Sequence, residues 1–252
     1  YLRKIQSGEV GTKELDEKVG NVLRLIFRTS MNPNKAFGAM CSEAHSAAAR
    51  KIAGEGMVLL RNANNTLPIE LKASERPTTL VVGENAIKMM TVGGGSSSLK
   101  AKYEISPLQG IQERAGDMAN VQYVRGYVGD IGGEYNGVTT GQSLQDDRTP
   151  EQLTAEAVAA AKKADYVIFV GGMNKAHHQD CEDGDRLHYE LPYAQDQLIS
   201  ALTAVNNRVI FVSISGNAHA MPWTQDVEAI LQAWYSGSET GHAVADVIFG
   251  DV

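Results

Sequence analysis

Short apolar runs that alternate with helix-like segments constrain the fold of this 252-residue chain more than any other feature of its sequence. The run YVIFV at residues 166–170 and the run VIFV within residues 208–214 are continuously apolar, which is typical of strands buried on both faces of a sheet. Shorter strands are predicted at residues 79–83, 121–124 and 227–233. Because strands separated by helices form parallel sheets, we predict an α/β fold in which a largely parallel sheet of about six strands is sandwiched between helices.

Helices are predicted between these strands from capping signals as well as from apolar spacing. Ser42 can cap a helix that runs to about Leu60, and Pro107 occupies the first turn of another helix that ends near residue 114. The sequence Thr149-Pro-Glu-Gln152 is a capping box with proline at the first helical position. Its helix is predicted to end near residue 164, and two further helices are predicted at residues 192–205 and 240–249.

The first 41 residues have a different pattern. Residues 14–28 carry apolar side chains at steps of three and four, which predicts one amphipathic helix, and the Asn- and Pro-containing residues 29–34 end it. The chain begins without Met or an apolar signal segment, as expected for an internal piece of a longer protein. We therefore predict two parts: residues 1–41 are the helical tail of an upstream barrel domain with a linker, and residues 42–252 are the α/β domain.

Composition excludes several partners. The 23 Lys and Arg residues against 30 Asp and Glu residues give a net charge of −7 with no basic cluster, so we expect neither nucleic acid nor an anionic membrane surface to bind. No apolar run approaches the roughly 20 residues of a transmembrane helix. Cys41 and Cys181 predict neither a disulfide framework nor a zinc site, and whether they are free is left open.

Glycine-rich polar loops follow the predicted strands. Parallel sheets bind ligands beyond the carboxyl ends of their strands, so a site is expected among these loops. They do not have the glycine spacing of a phosphate-binding or dinucleotide-binding loop, and the Gly-x-Ser-x-Gly motif of serine hydrolases is absent. The glycines are instead explained by tight loops that let the backbone approach a neighbouring domain or ligand.

The most polar stretch, HHQDCEDGDR, follows the YVIFV strand and allows three interpretations. It can be a metal site, although its ligand spacing matches no known set, or a solvated acidic loop without function. As a catalytic loop it offers Glu182 among Asp180, Asp183 and Asp185, whose like charges would raise the pKa of Glu182 toward that of a general acid. Arg186 would oppose this shift unless Asp185 binds it.

Motifs in a fixed order surround this stretch. The sequence Glu182-x-x-Asp-Arg186 precedes Leu191-Pro192 and a Gln-x-x-Leu-Ile pattern that begins at Gln195. Further motifs occur in order along the chain: AGEGMVLLRN at residues 53–62, Leu-Pro at residues 67–68, GGGS at residues 93–96, Gly-Asn at residues 216–217, AWY at residues 233–235 and ADVIFGD at residues 245–251. In this order they resemble the second conserved domain of glycoside hydrolase family 3, the β-glucosidase and β-xylosidase group, over essentially the whole chain.

The resemblance implies a retaining glycosidase built on two domains. The family's Asp nucleophile lies on an upstream (β/α)8-type barrel, and its general acid/base lies in the loop matched here, so Glu182 is the expected acid/base. The loop at residues 173–185 would deliver this carboxyl across the cleft between the domains, because a retaining site needs two carboxyls about 5–5.5 Å apart. The resemblance also implies substrate-binding residues and two residues that support the site: Gly94, Gly95, Ser96, His177 and Asp180 bind substrate, and Asp185 and Arg186 are the supporting pair.

This resemblance implies an exo-acting enzyme that hydrolyses terminal β-glucosides or β-xylosides in oligosaccharide or aryl glycoside substrates. It implies no metal or cofactor, a barrel domain of the same protein as partner, and a periplasmic or secreted location. The nucleophile motif is not in this chain, and Gly95 stands where many members carry an aromatic residue. An alternative is a non-catalytic carbohydrate-binding or interdomain module with the same fold.

Overall fold

A computed structural model of the chain describes residues 1–36, 38–91, 96–129, 134–135, 138–139, 142–182 and 184–252. The chain divides into two compact units, Tyr1–Met40 and Cys41–Val252. The first unit contains helices α1 (Leu2–Gln6) and α2 (Thr12–Arg28). Helix α2 covers the predicted amphipathic segment, and its assignment to an upstream barrel remains a prediction.

The second unit is built on a six-stranded sheet. Its strands are β1 (Val58–Asn62), β2 (Thr78–Val82), β3 (Asn120–Val124), β6 (Tyr166–Gly172), β7 (Val209–Ile214) and β8 (Ala229–Gln232), in the order β1-β8-β7-β6-β2-β3. Strands β4 (Glu134–Tyr135) and β5 (Val138–Thr139) form a separate antiparallel pair. Every pairing in the large sheet is parallel except that of β1 with β8. The predicted α/β fold with a largely parallel sheet is therefore confirmed.

Helices connect the strands and cover the sheet. They are α3 (Glu43–Gly56), α4 (Pro107–Ala115), α5 (Pro150–Ala161), α6 (Gln195–Thr203) and α7 (Thr240–Phe249), with short 3-10 turns at Ala63–Asn65, Glu84–Ala86, Gly116–Met118 and Gly237–Glu239. The capping box at Thr149 is present, since its side chain and that of Gln152 each accept a hydrogen bond from the other residue's backbone N–H. The Ser42 cap of α3 is confirmed as well.

The predicted helix over residues 42–60 is wrong in its last four residues. Helix α3 ends at Gly56, and residues 58–62 form the edge strand β1. The backbone of Val58 pairs with Gln232 and that of Leu59 with Leu231, about 170 residues later in the chain. The apolar run Val-Leu-Leu fits a helix as well as a strand, so a partner distant in sequence decides its structure.

The continuously apolar strands divide their side chains between two cores. On β6, Val167 and Phe169 join one cluster while Ile168 and Val170 join the other, and β7 alternates in the same way. One cluster includes side chains of α4 and α7, and the other includes side chains of α5 and α6. Both faces of the central strands are therefore buried, which explains why these strands carry no polar alternation.

Two glycines shape the loops at the carboxyl ends of the strands. Gly83 follows β2 with φ +119°, and a Cβ there would lie 2.1 Å from the carbonyl oxygen of Val170. Gly172 ends β6 with φ +113°, and a Cβ there would lie 2.3 Å from the carbonyl oxygen of Ile214. Other residues would be strained at both positions. The chain can therefore leave β2 and β6 sharply and place polar residues directly above the sheet.

Candidate functional site

The loop between β6 and α6 lies beyond the carboxyl end of the sheet, where a ligand site was expected. Its first residue, Met173, continues the sheet by donating its N–H to the carbonyl of Ile214 (2.8 Å), and its carbonyl accepts from the side chain of Asn85 (2.9 Å). The loops after β2 and β6 and the end of β7 are thus hydrogen-bonded to one another before the polar stretch begins.

Asp180 is the residue around which the loops assemble. Its Oδ2 accepts from the backbone N–H of Gly216 (2.7 Å) and from the hydroxyl of Tyr235 (2.9 Å), and its Oδ1 accepts from Nδ2 of Asn217 (2.9 Å). The side chain is buried, and its own backbone N–H donates to the carbonyl of Asn174 (3.0 Å). One carboxylate therefore joins the ends of β6, β7 and β8.

Glu182 lies two residues further along the same loop and is exposed. Its Oε2 accepts a short hydrogen bond from the backbone N–H of Ser96, so the structure brings together two of the predicted site residues. Hydrogen bonding by Ser96, first through its side chain and then through its backbone, lowers the pKa of Glu182 below its usual value of 4.5. Gly94 and Gly95, predicted beside Ser96, lie outside the described residues, as does Asp183.

The expectation that neighbouring carboxylates raise the pKa of Glu182 is therefore wrong for this structure. Asp180 directs its charge toward the N–H and O–H donors of the loops after β7 and β8, and Glu182 is open to water, which screens like charges. No ion pair joins Asp185 to Arg186 in the part of the chain that the structure describes. A general acid with a raised pKa would need a more desolvated environment than Glu182 has here.

The turn that carries Glu182 is compact. Cys181 and Gly184 form an isolated antiparallel bridge, and a Cβ on Gly184 would lie 2.7 Å from Nδ1 of His177. The exposed ring of His177 packs against that of His178, with centroids 3.9 Å apart, and Nδ1 of His178 lies 3.0 Å from the carbonyl oxygen of Asp185. The predicted substrate-binding residue His177 is thus placed at the base of the Glu182 turn.

A polar cleft lies beside this turn. Its lining includes Lys175, Asp180, Arg186 and Asn217. The guanidinium of Arg186 lies over the ring of Tyr189, 5.8 Å from its centroid, and among the described residues its Nη1 is buried without a hydrogen-bond partner. The cleft is therefore lined by both cationic and anionic groups.

Lys175 is a site residue that the sequence analysis missed. Its ammonium lies 3.6 Å from the ring centroid of Tyr235, the residue whose hydroxyl donates to Asp180. Burial lowers the pKa of Lys175, although Asp180 and Cys181 oppose that shift. Asn217 and Tyr235 belong to recognised motifs but were given no role, because their contact with Asp180 spans 37 and 55 residues of sequence. The sequence signal that could have identified Lys175 is its position three residues after a buried strand.

A second charged cluster lies at the end of β2. The buried carboxylate of Glu84 accepts from Nζ of Lys88 (3.1 Å), Nη2 of Arg125 (2.8 Å) and the backbone N–H of Gly129 (2.6 Å). Arg125 also faces Asp146, at 3.4 Å. Because Glu84, Lys88 and Arg125 are all buried, this cluster has a structural role.

A metal centre is not assembled by the polar stretch as described: no three His, Cys, Asp or Glu side chains among the described residues are grouped to share an ion. The thiols of Cys41 and Cys181 are both free. Within the same described ranges, no helix combines the length and the apolar character that crossing a membrane requires.

Comparison with protein families gives a match to the glycosyl hydrolase family 3 C-terminal domain over residues 57–252. Among curated relatives, Beta-glucosidase BoGH3A of Bacteroides ovatus is 44% identical over all of this chain, which covers 33% of that protein. The Periplasmic beta-glucosidase of Salmonella typhimurium is 33% identical over 98% of this chain and 34% of its own length. This chain thus spans about a third of the relatives that it matches.

Solved structures agree with this match. The family 3 β-glucosidase of Bifidobacterium adolescentis superimposes with a TM-score of 0.79 at 27% identity, over 99% of this chain and 33% of that protein. The β-glucosidase of Kluyveromyces marxianus shares the fold with a TM-score of 0.81 at 21% identity, over 99% of this chain and 46% of its own. The family model, the relatives and the fold together establish that this chain belongs to glycoside hydrolase family 3 and contains its C-terminal domain.

Proposed function

We propose that this chain is the second domain of a retaining, exo-acting β-glycosidase and that Glu182 is its general acid/base. The observation that carries the proposal is the placement of the Glu182 carboxyl, exposed on a compact turn beyond the carboxyl end of the sheet. The turn is held at Asp180 by donors from two neighbouring loops. An acid/base has to reach a substrate from a fixed backbone, and this carboxyl meets both requirements.

The nucleophile is proposed to lie on an upstream (β/α)8-type barrel of the same protein. A retaining glycosidase attacks the anomeric carbon with one carboxylate and protonates the leaving oxygen with another, about 5–5.5 Å away. Glu182 would supply the proton in the first step and accept a proton from water in the second. The sugar would therefore lie between the barrel and the turn that carries Glu182.

Protonation of Glu182 in the complete enzyme requires a change of surroundings. In this domain the hydrogen bonds from Ser96 hold its pKa below 4.5, whereas a general acid near neutral pH needs a raised value. A barrel and a bound sugar over the turn would exclude water from the carboxyl, and desolvation raises the pKa of a carboxylic acid. In the proposed mechanism, the nearby barrel carboxylate adds a like charge that raises the pKa of Glu182 further.

The proposed substrates are terminal β-glucosides or β-xylosides, as oligosaccharides or aryl glycosides. The relatives support this class, since they include β-glucosidases and a Beta-xylosidase of Formosa agariphila that is 30% identical over 84% of this chain and 27% of its own length. The name of the Salmonella typhimurium relative supports a periplasmic or secreted location. Gly94, Gly95, Ser96 and His177 are proposed to contact the sugar or its leaving group.

The test compares leaving groups in the full-length enzyme that contains this chain. The Glu182→Gln variant should lose about 10²- to 10⁴-fold in kcat/KM for a disaccharide, whose departing oxygen needs a proton. It should retain most of its kcat/KM for 2,4-dinitrophenyl β-glucoside, whose leaving group departs as an anion. Glu190→Gln is the matched control, because Glu190 is an exposed glutamate of the same loop, and it should leave both values near wild type.

An equal loss for both substrates in Glu182→Gln would overturn the proposal, since it would indicate binding or folding rather than proton transfer. Retention of full activity in that variant would favour the alternative of a non-catalytic carbohydrate-binding or interdomain module. In that case the isolated domain should also bind glucose by calorimetric titration, without the barrel.

A further inference from the structure

The carboxylate of Asp180 is placed where a residue that orients the acid/base would be needed. It lies two residues before Glu182, so any displacement of Asp180 moves the backbone that carries the Glu182 side chain. Its two oxygens accept three hydrogen bonds of 2.7 to 2.9 Å from three different residues, and the side chain is only 9% exposed. Such a buried carboxylate resists displacement because its partners lie on other elements.

These three donors come from the loops that follow the neighbouring strands. Gly216 and Asn217 follow β7, and Tyr235 follows β8. The two strands are paired in parallel with each other inside the sheet, and all their residues are buried, so the donors are attached to the rigid part of the domain. Asp180 thereby attaches the loop that carries the exposed Glu182 side chain to the sheet.

Tyr235 is fixed from a second side. Lys175, at the start of the same loop, places its ammonium 3.6 Å from the centroid of the tyrosine ring. The Tyr235 hydroxyl lies 2.9 Å from Oδ2 of Asp180 and 3.3 Å from the carbonyl oxygen of Asn174. Lys175 near the start of this loop and Asp180 in its middle thus contact the same aromatic residue, Tyr235, in the loop after β8.

We infer that Asp180 is a positioning residue for Glu182. It acts by anchoring the Glu182 turn to the loops after β7 and β8 rather than by contacting the sugar. The inference rests on the proposed function of Glu182. It differs from the expectation that Asp180 binds substrate, because the three donors already engage both carboxylate oxygens. Positioning matters because a displacement of about 1 Å in a reacting group can cost on the order of 100-fold in rate.

The experiment uses Asp180→Asn and Tyr235→Phe in the full-length enzyme, with Asp226→Asn, an exposed aspartate of the same domain, as control. An amide at position 180 keeps the size but turns an N–H₂ group toward existing donors, whereas Tyr235→Phe removes one donor and retains the ring. We expect kcat/KM for the disaccharide to fall about 10- to 100-fold in Asp180→Asn and by a smaller factor in Tyr235→Phe. The kcat/KM for 2,4-dinitrophenyl β-glucoside should fall less than threefold in both, while the control should retain both values.

The ratio of the two kcat/KM values separates positioning from folding or sugar binding. A variant that only lowers the amount of folded enzyme, or that loses a contact with the sugar, reduces both values together. If Asp180→Asn and Tyr235→Phe each lose kcat/KM equally for both substrates, while Glu182→Gln changes the ratio, the positioning role is overturned and the proposed function stays intact. An unchanged ratio in Glu182→Gln would overturn the proposed function and this inference with it.

Discussion

Glu84 and Glu182 are two glutamates at the same edge of the sheet with opposite surroundings. Glu84 is fully buried and accepts from a lysine, an arginine and a backbone N–H, whereas Glu182 is exposed and bonds to Ser96. Both follow strands in glycine-containing loops, so their local sequences look alike. The difference teaches that a carboxyl whose charge is matched by buried cations stabilises the fold, while a carboxyl exposed at the surface is available for chemistry.

The largest expected difference between the two glutamates is the effect of their substitution on the stability of the fold. Glu84→Gln removes the buried negative charge that Lys88 and Arg125 both face, and breaking a buried ion pair in this way costs about 3–5 kcal/mol. We expect urea denaturation to give a free energy of unfolding lower by that amount. Glu182→Gln, measured in parallel, should leave the free energy of unfolding close to that of the wild type, because the Glu182 side chain is exposed. Equal losses in the two variants would break the comparison.

Glu239 is an intermediate case, because one of its partners can lose its charge. It is buried, and its Oε2 lies 2.6 Å from Nδ1 of His242, while Nε2 of His242 lies 2.8 Å from Oε2 of Glu113 on α4. Burial lowers the pKa of His242, but the hydrogen bonds to Glu113 and Glu239 outweigh it, so the pKa is raised above 6.5. Tyr103 and Arg50 also face this cluster.

The sign of the expected pH dependence follows from that raised pKa. The stability contributed by His242 is complete below its unfolded pKa of 6.5 and is lost as the pH rises through the higher folded value. Between about pH 6 and pH 8, the free energy of unfolding should therefore fall more steeply in the wild type than in His242→Gln. Parallel curves for the two proteins would contradict a charged His242 in the folded state.

The smallest expected effect concerns Ser96, which hydrogen-bonds to Glu182. In Ser96→Ala the hydroxyl that contributes most to lowering the Glu182 pKa is removed, so the pKa should rise toward 4.5. A carboxyl ¹³C NMR titration, with Glu182→Gln to assign the signal, measures this change. Ser97→Ala, at an adjacent exposed serine, should leave the Glu182 titration unchanged. A Glu182 pKa that stays the same in Ser96→Ala would show that the serine hydroxyl does not hold the carboxyl.

Much of the fold follows from local sequence. The runs at residues 166–170 and 209–212 predict buried strands because they are continuously apolar, and the capping box at Thr149 marks where α5 begins. Strand β1 was missed because its pairing with β8 joins residues about 170 positions apart. The local sequence of β1 does not show that β8 has a free side on which another strand can pair.

The candidate site divides in the same way. The motif around Glu182 located the acid/base candidate, since its residues are contiguous in the sequence. The lowered pKa of Glu182 depends on Ser96, 86 residues away, and the role of Asp180 depends on residues 36 to 55 positions further along. Such contacts are set by the order of strands in the sheet, so they become visible only when the fold is known.

The central claim, that Glu182 is the acid/base of a retaining enzyme, is tested most directly by the product that its absence allows. Glu182→Ala in the full-length enzyme should hydrolyse 2,4-dinitrophenyl β-glucoside slowly, because water lacks its base in the second step. Added sodium azide needs no base, so it should raise kcat and yield β-glucosyl azide, identified by the coupling constant of its anomeric proton in ¹H NMR. An unchanged kcat with glucose as the product, or formation of the α-azide, would contradict the claim.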